Sequence, residues 1–310
     1  MSRDTVLVTG GAGFIGSHLA DMLAERFDVV VADNLQTGDR RNLAAGPGRR
    51  FVELDVNERP AIEFLFAKHD FRFVFHYAAT VGVEYTLSHP LKVLGDIDGA
   101  RNILELSRLA SVERVFFASS SEVYGEPVDA VQHEDRTPLN SRLPYAVVKN
   151  LIEAYLRSYQ SAYGLDYTIF RIFNTFGPRQ SDAFVMTRFI RQALAGQPVT
   201  VIGDGAQSRT FNYVGNKVAA VRAAIDSPAA ANQVINLGAG DEMSIRALAE
   251  KVVAAAGSAS PIVHLPARAE GDMRRRQPDV GRLRQMLGTD GWTGFDDGLA
   301  RTVAWFRDRG

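Results

Sequence analysis

Tyr145 and Lys149 stand four residues apart in Pro144-Tyr145-Ala146-Val147-Val148-Lys149, a spacing that places a phenol and an ammonium on one face of a helix. A cation near a phenol favours the phenolate, and a phenolate near neutral pH is the kind of base that oxidation of an alcohol requires. Upstream, Ser119-Ser120-Ser121-Glu122-Val123-Tyr124-Gly125 follows the apolar run Val115-Phe116-Phe117-Ala118. Three hydroxyls and a carboxylate therefore collect where a buried strand runs out. Tyr-x-x-x-Lys alone is common by chance, its plain alternative being a surface lysine beside a packing tyrosine. The context that decides between them lies near the N-terminus.

There, Thr9-Gly10-Gly11-Ala12-Gly13-Phe14-Ile15-Gly16 joins a β-branched run to a helical pattern. Glycines at 10, 13 and 16 permit a tight turn, approach of a pyrophosphate to backbone N–H groups, and close helix packing, with Phe14 and Ile15 in the first helical turn. Asp33 ends the second apolar run twenty residues after Gly13, placed to accept hydrogen bonds from an adenosine ribose. An acid there repels a 2′-phosphate, so NAD is expected rather than NADP; Arg40 and Arg41 are the residues that speak for the other choice. Asn34, directly after Asp33, is a further cofactor-binding candidate. Asp55-Val56, after the third run, can hold the adenine amino group, or Asp55 can serve as a helix cap.

These residues need a frame. Thr5–Val8, Asp28–Ala32, Phe51–Leu54, Phe73–His76, Val115–Ala118 and Tyr167–Phe170 read as strands, several apolar throughout and so covered on both faces. Helical spacing recurs at Phe14, Ile15, Leu19, Met22 and Leu23, at Ile103, Leu104, Leu106 and Leu109, and at Val148, Ile152, Tyr155, Leu156 and Tyr159. That alternation predicts an α/β fold with a parallel, doubly wound sheet of Rossmann type, whose ligands sit at the carboxyl ends of the strands. After Gly177-Pro178 the rhythm loosens: a helix over 184–194, strands over 199–202 and 234–237, and a helix over 244–255 capped by Ser244. The expected division is a cofactor-binding part over 1–174, rejoined by a segment near 206–236, and a smaller C-terminal α/β part over 175–310 that mainly holds substrate.

Thirty-five Lys plus Arg against 36 Asp plus Glu leave a net charge of -1, with no basic excess to suit nucleic acid or an anionic membrane. No apolar run reaches membrane-spanning length, and the N-terminus enters a strand rather than a signal-peptide hydrophobic region, so a cytoplasmic protein is expected. The absence of cysteine excludes disulfides, thiolate nucleophiles and thiolate metal sites. The six histidines are scattered, and no metal is expected.

Taken together, the chain resembles the extended short-chain dehydrogenase/reductase family, specifically its NAD-dependent nucleotide-sugar epimerases and dehydratases typified by UDP-glucose 4-epimerase. The resemblance runs nearly end to end, through Thr9 to Gly16, Asp33-Asn34-Leu35, His76-Tyr77-Ala78-Ala79, Ser119 to Gly125, Tyr145 with Lys149, Arg171 to Arg179 and Gly203 to Phe211. It implies NAD as cofactor, with Ala78 and Ala79 among its contacts, and a nucleotide-diphosphate sugar as substrate. It implies Tyr145 as base, Lys149 lowering its pKa and holding the nicotinamide ribose, and Ser120 on the reacting sugar oxygen with Ser121 beside it. Asn174 and Arg209 fall on the substrate diphosphate and nucleotide, with Arg268 and Arg275 as weaker candidates because Ala269 stands where relatives carry Arg. Asp96 is a departure, relatives often having Asn near the nicotinamide. A homodimer through the helical faces around Ile103 to Leu109 and Val148 to Tyr159 is also implied; those faces can equally pack internally.

By that resemblance the shared first step is oxidation at sugar C4, and Glu122 marks where the family divides. Many 4-epimerases have a small residue there; uronate decarboxylases and several 4,6-dehydratases have Glu. Ser121 in place of Asp counts against the dehydratases, and Leu143-Pro144-Tyr145-Ala146 is shorter than the usual decarboxylase approach to the tyrosine. Arg274-Arg275-Arg276-Gln277-Pro278-Asp279 favours a decarboxylase. A buried structural carboxylate is the plain reading of Glu122. The expectation is a 4-epimerase acting on a UDP-sugar, with decarboxylase or dehydratase as alternatives and a non-catalytic NAD-binding regulator as the alternative of a different class.

Overall fold

The computed structural model describes residues 3–43, 46, 48–126, 128–266 and 276–309. Its first part runs β1 (Thr5–Thr9), α1 (Phe14–Leu23), β2 (Asp28–Asp33), β3 (Arg49–Glu53), α2 (Arg59–Lys68), β4 (Phe71–His76), α3 (Val83–Ser88) and α4 (Pro90–Leu109). Then come β5 (Arg114–Ser120), α5 (Pro144–Tyr163), β6 (Asp166–Ile172), β7 (Thr175–Phe176), α6 (Val185–Leu194), β8 (Val199–Ile202), β9 (Ser208–Thr210) and β10 (Asn212–Tyr213). The remainder is α7 (Val214–Asp226), β11 (Gln233–Leu237), β12 (Glu242–Ser244), α8 (Ile245–Ala255), β13 (Ile262–Leu265), α9 (Gly281–Leu287) and α10 (Phe295–Arg307).

Seven strands form one parallel sheet in the order β11-β6-β5-β4-β1-β2-β3. The order reverses between β1 and β4, and in such a sheet the crevice outside the carboxyl ends at that point receives the ligand. Helices cover both faces: Leu65, Ile103, Ile152 and Leu156 pack from α2, α4 and α5 on one side, and Leu19, Val221 and Leu283 from α1, α7 and α9 on the other. This double covering explains the unbroken apolar strands. A further core joins α6, α8 and α10 through Phe189, Leu248, Val252 and Val303.

Two local features bear on chemistry. β5 extends beyond the apolar run, because Ser119 and Ser120 continue the ladder opposite Arg171 and Ile172 of β6. α5 opens with Pro144 at its first position, where a missing N–H costs nothing, and closes on Gly164 at φ +74°. The faces singled out for subunit contact prove internal: Ile103, Leu104, Leu106, Val148, Ile152 and Leu156 are buried against the sheet, which needs that cover. Leu109, at the end of the first of those faces, stays exposed, and α4 and α5 leave further apolar residues exposed, among them Leu91, Leu94, Val147 and Leu151.

Candidate active site

β1 turns sharply at Gly10, whose φ is +66°. A Cβ there would lie 2.6 Å from the backbone nitrogen of Ala78, so only glycine lets the loop lie against the end of β4. A side chain at Gly16 would strike the Gly10 carbonyl, and its absence lets α1 sit directly behind the turn. α1 then begins at Phe14 with Gly13 at its N-cap and no capping side chain. Its first N–H groups are left to an external acceptor, and with the helix dipole they suit a pyrophosphate. The residues present fit the dinucleotide that the sequence implied.

Asp33 closes β2 and is buried. Its carboxylate accepts the Ala12 N–H at 2.9 Å and the Leu35 N–H at 2.8 Å, so it braces the glycine turn and keeps further lone pairs for a hydroxyl. Burial raises its pKa, opposed by N–H groups of Leu35, Ala12 and Gly13. Asn34 Nδ2 donates to Asp55 Oδ2 at 2.9 Å, bringing together two residues named for the adenosine end; Val56 is half-buried beside them. Arg41 is engaged by Asp39 through its Nε and Nη2 donors, and Arg40 lies over the Phe51 ring. Just past β4, Ala78 N–H donates to Thr9 Oγ1 at 3.3 Å, which seats Ala78 beside Gly10, with Ala79 next in the chain.

Across the crevice, Ser120 is the last residue of β5, and its Oγ accepts the Glu122 N–H at 3.1 Å. Tyr145, in the first turn of α5, has its phenol pushed well above the ordinary value by burial and by the Glu122 carboxylate; a hydrogen bond with Ser120 works the other way, Asp96 adds to the rise, and Arg276 opposes it. Lys149 is buried one turn on, donates from Nζ to the Ala118 carbonyl at 2.8 Å, and lies 5.7 Å from the Tyr145 ring centroid. Burial lowers its pKa to about 8, while the Asp96 and Glu153 carboxylates hold it up. Asp96 accepts both the Thr80 N–H at 2.7 Å and the Thr80 hydroxyl at 3.0 Å. Burial raises its pKa against these donors and Lys149.

Glu122 is not alone. Its Oε1 accepts Arg276 Nη1 at 2.7 Å, with the arginine side chain 10% and the glutamate 23% exposed. Arg276 belongs to the triplet Arg274-Arg275-Arg276, of which only Arg275 was expected at the site. Thr80 was also missed. Ser121 is buried behind Ser120, and Asn174 follows β6 at the same end of the sheet, its carbonyl accepting the Asn212 N–H. Arg209 lies on β9, paired with β12, and its Nη1 donates to the Ser208 carbonyl at 2.7 Å. Arg268 and Arg275 lie outside the described residues. Among the described residues no cluster of three His, Asp or Glu is suited to a metal ion, and no helix is long and apolar enough to cross a membrane.

A glycine turn at the switch point of a parallel sheet, facing a Ser-Tyr-Lys group at the neighbouring strand ends, defines a dinucleotide-dependent enzyme of the short-chain dehydrogenase/reductase type. Residues 6–238 match the NAD dependent epimerase/dehydratase family, and the chain belongs to that family; NAD is its cofactor. Comparison with curated proteins finds it 36% identical to a UDP-N-acetyl-alpha-D-glucosaminuronate decarboxylase of Bacillus cytotoxicus, over 97% of each chain. It is 35% identical to a UDP-glucose 4-epimerase of Mycolicibacterium smegmatis over 98% of each. Among solved structures, the UDP-glucose 4-epimerase of Thermus thermophilus in complex with NAD superposes with a TM-score of 0.90 at 34% identity, covering 98% of this chain and 99% of that one.

Proposed function

We propose that the protein is an NAD-dependent nucleotide-sugar 4-epimerase, acting on a UDP-sugar through a transient 4-keto sugar. The observation that carries this reading is the placing of Ser120 at the carboxyl end of β5, Tyr145 in the first turn of α5 and buried Lys149 one turn along, with the glycine turn at the end of neighbouring β1. Tyr145 takes the proton of the sugar C4 hydroxyl, and Ser120 holds that oxygen as it becomes a carbonyl. NAD, when bound against the glycine turn, would supply the hydride acceptor for oxidation at C4. Lys149 holds the nicotinamide ribose, and its charge, with that of Arg276, favours phenolate on Tyr145. Gly10, Gly13 and Gly16 accommodate the pyrophosphate, Asp33 the adenosine ribose, and Asn174 and Arg209 the substrate diphosphate and nucleotide. A crevice that lets the keto sugar turn before reduction would give inversion at C4.

A second reading is favoured by one contact, the Glu122–Arg276 ion pair beside Tyr145. A cation there can bind a C5 carboxylate, and a 4-ketone is an electron sink for its loss as carbon dioxide, which would make the enzyme a nucleotide-hexuronate decarboxylase. Mass spectrometry of products from UDP-glucose, UDP-N-acetylglucosamine and UDP-glucuronate separates the two. An epimerase yields a product of unchanged mass, and its formation should fall about 10²- to 10⁴-fold in Tyr145→Phe with NAD still bound. Loss of carbon dioxide selects the decarboxylase, and loss of water a dehydratase. We further propose a cytoplasmic homodimer joined through the exposed apolar residues of α4 and α5, and a working division between a cofactor part over 1–174 and a mainly substrate-binding part over 175–310.

A further inference from the structure

Beneath the reacting groups lies a buried polar cluster that the mechanism above does not use. We propose that Glu153, Arg171, Tyr124 and Asn236 are positioning residues that fix the spacing between the Ser120-Tyr145-Lys149 group and the Glu122–Arg276 pair. Arg171, on β6, spends its guanidinium on four acceptors: Glu153 Oε1 at 3.0 Å, Glu153 Oε2 at 2.8 Å, the Tyr124 hydroxyl at 2.9 Å and the Glu134 carbonyl at 3.0 Å. Glu153 also accepts the Ser119 hydroxyl at 2.7 Å. The Tyr124 hydroxyl donates to Asn236 Oδ1 at 2.7 Å, and Asn236 donates onward to Glu134 Oε1 and the Gln132 carbonyl. Gln132 Oε1 in turn accepts the Gln277 N–H at 2.8 Å, and the Gln132 N–H donates to the Gln277 carbonyl.

Each end of this chain of bonds adjoins a reacting group. Glu153 is one helical turn after Lys149, Ser119 precedes Ser120, Tyr124 follows Glu122 by two residues, and Gln277 follows Arg276. Glu153, Tyr124 and Glu134, from three segments, are thereby held to one guanidinium. Glu153, Arg171, Tyr124 and Asn236 are each at most 2% exposed. A buried ion pair is a poor source of stability, since well-packed apolar residues of equal volume often serve as well or better. What charged, directional bonds add over apolar packing is a unique geometry, and displacement of a reacting group by about 1 Å can cost about 10²-fold in rate.

The inference rests on the assignment of Ser120, Tyr145 and Lys149 to the reaction. Its test uses Tyr124→Phe, which deletes one hydroxyl, and the double variant Glu153→Gln with Arg171→Met, which removes both charges together. The expected result is a kcat about 10- to 100-fold lower, with KM for the nucleotide sugar and, in Tyr124→Phe, the Kd of NAD within about twofold. Hydrogen exchange by mass spectrometry should quicken in peptides spanning 119–124 and 276–279 while the α1 peptide is unchanged. Wild-type kcat in Tyr124→Phe, or a loss that merely tracks the folded fraction, overturns the proposal; should the double variant not fold, Tyr124→Phe decides alone. If the wild-type protein turns over no nucleotide sugar, the functional reading fails instead, and unchanged exchange in Tyr124→Phe overturns the positioning network independently.

Discussion

At the scale of single residues, the site is governed by burial of groups that must carry charge. Lys149 has its pKa lowered to about 8 by desolvation, and Asp96 is the first of the carboxylates holding it up. A cation of this kind is present below that value and lost as pH rises through it. NAD binding by the apoprotein should therefore weaken on an alkaline limb near pH 8. Asp96→Asn withdraws a negative charge from Lys149, so the limb should move to lower pH; titration of NAD affinity across pH measures this, and an unmoved limb would disconnect Asp96 from Lys149. The departure of this chain at position 96 thus acquires a physical role, as an anion near a desolvated ammonium. Glu122 changes meaning as well. In the sequence it was a lone carboxylate with a structural or a catalytic reading, and in the fold it is half of an ion pair whose other half lies 154 residues away.

At the scale of elements, the segments read after Gly177 recur to within a residue or two, whereas the helices α2, α7 and α10 were not read from the sequence. The helix predicted over 184–194 spans Val185–Leu194, and Ser244 caps α8 through the Ala247 N–H as its position implied. The short strands β7, β9, β10 and β12, of two or three residues each, have no period to detect, since alternation needs more residues than they contain. The C-terminal extension of β5 was missed because serines carry no apolar signal; the ladder to β6 holds them in strand geometry. The glycine turn makes the sharpest test at this scale. Gly10→Ala puts a Cβ against the backbone of Ala78 in a left-handed conformation. It should cost about 1–3 kcal/mol of stability by chemical denaturation and abolish NAD binding by calorimetry; retained affinity would remove the turn from the cofactor site.

At the scale of the whole molecule, the sheet collects residues from β1, β4, β5 and β6 at one edge, and helices on both faces leave α4 and α5 with an outward apolar stripe. Leu91 is 83% exposed, and Leu94, Val147 and Leu151 accompany it; exposed apolar surface of this kind suits a second copy. Sedimentation should find a dimer, and Leu151→Glu should release folded monomer; a wild-type monomer would end that proposal. The sequence by itself determined the fold class, the glycine turn and the placing of Ser120, Tyr145 and Lys149 at the strand ends, because each depends on contacts within a few residues or on a spacing that helix and strand geometry fixes. Only the tertiary structure decided that Glu122 faces Arg276, that Arg171 ties Glu153, Tyr124 and Glu134 to β6, and which face of α4 and α5 remains uncovered. Those are matters of how distant segments converge, and local residue types do not encode which of several equivalent arginines or helix faces will meet a partner.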